Sequence, residues 1–240
     1  MAKNILFVFE GEKTEASIVK NLRKFFIKEN TIITCAFCAT IYQIYEEIKA
    51  DEDLDTFTLL RDRKQNQESL KKYSTSNFAE IYLFFDYDGH DPIASDEKLE
   101  ELLNFFDEET EKGKLYISYP MIESLKHFPQ RGSFKSLKVK CKENIRYKKI
   151  VNANCIRKII DFNLYNRNIW KWIIKEHLKK GNYIVNNSYT YPKELYSQLD
   201  IFNNQRKNYI NVNLEVSVLN SFPIFIHDYY GNEKLIRLLK

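Results

Sequence analysis

Two short apolar runs, each ending on an acid, constrain this chain more than any other feature. Ile81 to Phe85 leads into Asp86, Asp88 and Asp91 (IYLFFDYDGHD), and Ile5 to Phe9 leads into Glu10 and Gly11. Runs so apolar and so short read as strands buried on both faces, the pattern of a parallel sheet. Acids at the C-terminal ends of such strands stand where open α/β sheets bind their ligands. Asp86 and Asp88 are two apart, so an extended backbone turns both to one side. Paired carboxylates repel unless a cation lies between them, and hard oxygen ligands suit Mg²⁺ or Mn²⁺. The alternative for the same residues is an Asp-rich turn that caps the following helix.

The pattern between and after these runs alternates. An amphipathic helix is predicted from Thr14 to about Glu29, with Ile18, Val19, Leu22, Phe25 and Phe26 on one face. Gly11 before it permits a sharp strand-to-helix turn. Thr31 to Phe37 reads as a strand, and Thr40 with Gln43 as a capping box for a helix carrying Ile41, Ile44, Tyr45 and Ile48. The polar stretch 62–77 reads as a loop or surface helix. After the strand at Ile81, Ser95 or Asp96 is placed to cap a helix burying Leu99, Leu102, Leu103 and Phe106, with Gly113 to end it. Lys114 to Tyr119 is the fourth strand, and Pro120 opens a predicted helix with Glu123, Lys126 and His127. Residues 1–128 thus read as an α/β domain built on a parallel central sheet covered on both faces.

Residues 129–240 read as a mainly helical accessory region. Helical patterns fall at 156–162 and at Ile169 to Leu178, the latter with Trp170 and Trp172 on its inner face. A further helix is predicted from Pro192 to about Ile210, and a last one from Asn232 to Leu239. Val216 to Ile226 is apolar and fits either helix or strand. The segment from Arg131 to Lys149 holds eight Lys or Arg and one acid, Glu143. Its Lys135, Lys138, Lys140, Lys142 and Arg146 are the candidates for nucleic-acid phosphate contact, since counterion release needs clustered cations. A solvated charged loop is an equal reading.

Composition narrows the function classes. At 240 residues, 44% hydrophobic and 29% charged, the chain has the profile of a soluble globular protein. No apolar run approaches the ~20 residues a membrane span needs, and the apolar start followed by acids does not read as a signal peptide. A cytoplasmic protein is expected. A net charge of +4 does not by itself call for a polyanion partner. Cys35, Cys38, Cys141 and Cys155 fit a reducing compartment. The Cys35/Cys38 pair has no second pair to complete a zinc site, so buried small apolar cysteines are the better account. There is no G-x-x-x-x-G-K-[ST] loop, which excludes a P-loop ATPase.

With neighbouring strands, Glu10, Asp86 and Asp88 converge on one crevice, and their mutual repulsion calls for a divalent metal. Apolar strand, Glu-Gly, helix, then apolar strand ending in D-x-D resembles the Toprim fold of topoisomerases, primases and overcoming-lysogenization-defect (OLD) nucleases. FEGEKTE, FFDYDGHD and SYPMIESLKHF look most like RloB-like and related Toprim proteins of bacterial antiphage loci. In those a proline-glutamate segment on the last core strand follows the D-x-D at about this distance. The resemblance covers residues 4–128 and implies a Rossmann-like Toprim core.

By position, the resemblance makes Glu10 the general base or a metal ligand, and Asp86 and Asp88 the metal pair. Glu123 matches the later acidic position loosely, and Glu15 repeats in the motif. The chain is too small for a topoisomerase body. The resemblance implies a Mg²⁺- or Mn²⁺-dependent nuclease acting on DNA or RNA in antiphage defence, beside a separately encoded ATPase. Two alternatives are a nucleotide-directed enzyme on the same fold and a non-catalytic partner of that ATPase. Lys13, Lys126, His90 and His127 adjoin the acids in sequence and are candidates to contact a phosphate or protonate a leaving oxygen. For each of the four the plainer expectation is a surface or capping residue, and for Glu12 a helix-dipole role.

Overall fold

In the computed structural model the two apolar runs become neighbouring strands. The structure describes residues 3–27, 31–38, 40–51, 53–87, 89 and 95–240. The expectations for Asp88, His90 and Asp91 lie outside the described residues, while the first helix, expected to run to about Glu29, ends at Phe26 because Ile27 is extended. Strand β1 is Lys3–Phe9, followed by helix α1, Thr14–Phe26, and strand β2, Thr31–Phe37. Helices α2 (Ile41–Ala50), α3 (Thr56–Asp62) and α4 (Gln67–Leu70) lead to strand β3, Glu80–Asp86. Helix α5 is Asp96–Phe105, strand β4 is Asp107–Glu108, and strand β5 is Gly113–Ser118.

These strands form one mostly parallel sheet in the order β2-β1-β3-β5-β4. Strand β1 pairs parallel with β2 (Phe9 opposite Phe37) and with β3 (Phe9 opposite Phe84), while β4 is antiparallel to β5. Ile5 through Phe9 are fully buried, as a strand covered on both faces requires. The Phe84 ring lies 5.1 Å from Phe7 and 5.5 Å from Phe9, so adjacent strands interlock through their aromatics.

The rest of the chain is mainly helical. A two-stranded ribbon joins β6, Lys138–Lys140, antiparallel to β7, Glu215–Ser217. The helices are α6 (Tyr147–Asn154), α7 (Arg167–Asn186) and α8 (Gln198–Gln205), then α9 (Asn211–Asn213), α10 (Ser221–Tyr230) and α11 (Asn232–Leu239). A π-helical turn, Arg206–Ile210, connects α8 to α9. The chain divides into two compact units, 1–85 with 101–115 and 86–100 with 116–240. Residues 116–128, expected to belong with the N-terminal domain, fall in the second unit. Among the described residues no helix is long and apolar enough to cross a membrane.

Several local expectations are corrected. Thr40 occupies the N-cap of α2 but makes no side-chain capping bond. Gly113 opens β5 instead of ending α5. Its φ is +108°, and a Cβ there would lie 2.7 Å from Leu83 Cδ1, so the strand approach itself demands glycine. Pro120 follows a cis peptide and leads into a 3₁₀ turn, Ile122–Lys126, in place of an α-helix. Tyr119 is meanwhile held by exchanging backbone hydrogen bonds with Leu219. Residues 156–162 form single 3₁₀ turns. Helix α8 starts after Ser197, not at Pro192, because Ser197 and Asp200 cap each other's backbone. Val216 to Ile226 divides into β7 and α10, since Asn220 caps the helix by accepting from Phe222 N–H and Pro223 fits its first turn.

Candidate functional site

In the first unit, the order of β2, β1 and β3 makes β1 the turning point of the topology. The chain moves from β1 to β2 on one side and to β3 on the other, the switch point at which open α/β sheets bind ligands. Because β1 and β3 are parallel neighbours, their C-terminal ends reach the same sheet edge. Glu10 is half-buried in the turn after β1. Glu15, in the first turn of α1, is buried, and its carboxylate oxygens lie 3.0 Å from where a Cβ on Gly11 would stand. Glycine at 11 therefore leaves room for that carboxylate to fold against the turn that follows Glu10. Glu12 and Lys13 are exposed at the start of α1.

In the second unit, Asp86 is half-buried at the end of β3. Tyr87 after it is buried, stacks 5.6 Å from Tyr119, and donates to Asp96 Oδ1 at 2.6 Å. Lys142 reaches the same oxygen at 2.9 Å. Asp96 thus holds Tyr87 and Lys142, while the cap of α5 falls to Ser95, whose Oγ accepts from Lys98 N–H. Gly89 is fixed by close approach, since a Cβ there would meet Tyr87 at 2.7 Å and the Cys141 carbonyl at 2.8 Å.

Glu123 lies in the 3₁₀ turn after Pro120, with its side chain 7% exposed. The turn is pinned from beneath. Asn220, fully buried, donates to Ile122 O at 3.0 Å and Ser124 Oγ at 3.0 Å, on either side of Glu123. Glu123 Oε1 lies 3.3 Å from Lys148 Nζ, but Oε2 is buried and, among the described residues, has no hydrogen-bond partner. Tyr147 is buried close by. Burial, followed by the charges of Glu123 and then Asp86, pushes its hydroxyl well above its ordinary pKa. The two acids therefore act on one phenol from different elements.

His127 completes this group. It is buried, not on the surface as expected, and its Nδ1 lies 2.8 Å from Tyr147 Oη. Burial, aided by the Lys180 charge, lowers its pKa to about 4, so the ring is neutral at pH 7. Lys126 points elsewhere, donating to Ile160 O at 3.2 Å and lying over the Phe162 ring. Tyr147 and Asn220 were not singled out from sequence. Tyr147 showed only as an aromatic in a basic run; Asn220 carried a usable signal, an N-cap type ahead of an apolar run with proline in its first turn.

The basic residues are largely engaged within the chain. Lys135 lies over the Tyr183 ring at 4.6 Å, Lys138 pairs with Glu215 at 2.8 Å, and Lys140 donates to Asn213 O at 2.8 Å. Arg146 is exposed and adopts φ 52°, an uncommon conformation for a non-glycine, just ahead of Tyr147. Trp170 is buried on the inner face of α7, as expected, and Trp172 packs 4.3 Å from Phe128. Cys35 and Cys38 are free thiols, and Cys38 Sγ donates a hydrogen bond to Thr40 O at 2.9 Å.

Of these residues, Glu123 offers oxygen donors of the kind that hard cations take. A carboxylate oxygen buried without a partner carries a desolvation cost that a divalent ion offsets. Among the described residues no three His, Cys, Asp or Glu form a ready metal cage; Asp88 and Asp91 lie outside that set. No protein-family model, no curated protein and no solved structure matches the chain.

Proposed function

We propose that this protein is a Mg²⁺- or Mn²⁺-dependent nuclease of the Toprim type, acting in the cytosol in antiphage defence. The observation that supports this most is the parallel pairing of β1 and β3, the two apolar strands that run into acids in the sequence. Asp86 and Asp88 would hold the ion, with Glu10 as a further ligand or as the general base, and Glu123, with its unmatched buried oxygen, would add an oxygen donor. A bound divalent ion supplies charge stabilisation for the phosphoryl group and lowers the pKa of a water. As general base, Glu10 would accept the proton of the attacking nucleophile. Neutral His127 and Tyr147 hold the wall beside Glu123 in one arrangement, and Lys148 limits the negative charge there.

A nucleotide-directed reading on the same fold gains from one observation. Lys135, Lys138, Lys140 and Lys142, the residues expected to track a polymer backbone, all have partners within the chain. A third reading, a non-catalytic partner of a separately encoded ATPase, leaves the acids at the strand ends without a task. Incubation with Mg²⁺ or Mn²⁺ and a panel of DNA, tRNA and mononucleotides separates the three. Polymer cleavage supports the nuclease, turnover of mononucleotides alone supports the second reading, and no turnover of any substrate supports the third.

A further inference from the structure

Strand β2 is an outer strand of the sheet, and the hydrogen-bonding groups on its outer side can be traced individually. Cys38 N–H donates to Phe9 O at 2.8 Å, so it faces β1. Backbone groups alternate along a strand, so those of Phe37, Cys35, Ile33 and Thr31 face outward. Two of the four are met locally. The Asn66 side chain accepts from Phe37 N–H at 2.8 Å and donates to Phe37 O at 2.9 Å, and Arg23 donates to Thr31 O at 3.4 Å. Among the described residues, Ile33 and Cys35 have no such partner. Unpaired backbone groups of this kind on an outer strand are a template for a short stretch of another strand.

Beside this open stretch lies a cleft of about 530 Å³, bounded by α1 and β2. Its apolar surface includes Val19, Ile27, Ile33 and Cys35, and its cationic rim is Lys20, Arg23 and Lys24. All three rim residues are exposed. A strand added along β2 would send every second side chain toward this cleft, where acidic ones meet the cationic rim. A second copy of β2 would instead bring a second set of the same cations, an unfavourable like-charge pairing. Nucleic acid would leave the Ile33 and Cys35 backbone groups unmatched.

We propose that the open edge of β2 docks an extended acidic segment of a partner protein, which pairs with Ile33 and Cys35 and places its carboxylates on Lys20, Arg23 and Lys24. The test is backbone hydrogen exchange on the full chain with a terminally blocked peptide of alternating Glu and Val. Exchange at the Ile33 and Cys35 amides should slow by about tenfold or more. A Lys-Val peptide should not protect them, nor should a Glu-Val peptide N-methylated at alternate residues, which cannot pair. The Lys20→Glu, Arg23→Glu, Lys24→Glu variant, with its fold checked by circular dichroism, should lose the Glu-Val response and gain one to Lys-Val. Absence of protection would overturn the proposal. So would equal protection by the N-methylated peptide or by an oligonucleotide. Protection that grows with protein concentration alone would assign the edge to a second copy instead.

Discussion

On Glu123 the two oxygens of a single carboxylate stand in different surroundings, one beside an exposed lysine and one buried without a hydrogen bond. Oε1 pairs with Lys148, whose own side chain is 62% exposed, so that contact contributes little to stability. Oε2 is the atom that stands to gain from a cation. Glu123→Gln should therefore weaken Mn²⁺ binding by about ten- to a hundredfold while changing stability by less than about 1 kcal/mol. A Mn²⁺ titration and a denaturant melt check the two halves. His127 makes a pH forecast. Its folded pKa of about 4 lies below the ordinary 6.5, so in that window the unfolded chain binds the extra proton. Stability from this residue is present above pH 6.5 and is lost as the pH falls toward 4. His177, lowered by burial to about 3, adds to the same trend. His127→Gln should flatten the dependence of the unfolding midpoint on pH between 4 and 6.5, and an unchanged slope would remove His127 from the account. The strand ends at Glu10 and Asp86 were legible in sequence because each acid follows an apolar run. The burial of His127 was not, because it depends on Tyr147 arriving from a distant segment.

Among the elements, the core strands were the most legible, since burial on both faces leaves an unbroken apolar run that little else produces. Helix α4 was less so, because the polar run from Asp62 masks a single turn that buries only Leu70 of its own residues. Gly113 was misread because a glycine after a helical pattern ordinarily marks its end. Here the demand comes from Leu83 and Ile81 on β3, whose side chains lie 2.7 and 3.1 Å from where a Cβ would stand. Gly113→Ala combines a left-handed backbone with overpacking and should cost about 2–4 kcal/mol, measured as a lower denaturant midpoint. A cost no greater than that of an exposed loop glycine would mean that β5 can shift to accommodate the methyl group. The basic segment shows the reverse case. Its charge run was plain, yet its lysines reach partners on β7, α5 and α7 that no local pattern announces.

Across the whole molecule, the α/β sheet and the helical remainder follow from where apolar runs alternate with helical periodicity and where they stop doing so. The interleaving of the two compact units does not follow from sequence order, because the chain passes between them at 85/86, 100/101 and 115/116. The central claim concerns what the acids after β1 and β3 do together, and the most direct measurement is the rate of metal-dependent cleavage in wild type and in Asp88→Asn. Asn keeps the shape but removes a charge needed to hold the ion. The account predicts cleavage by the wild type with Mg²⁺ or Mn²⁺, and loss of turnover in the variant, with a thermal midpoint in chelator close to that of the wild type. An Asp88→Asn protein that cleaves at the wild-type rate would contradict it.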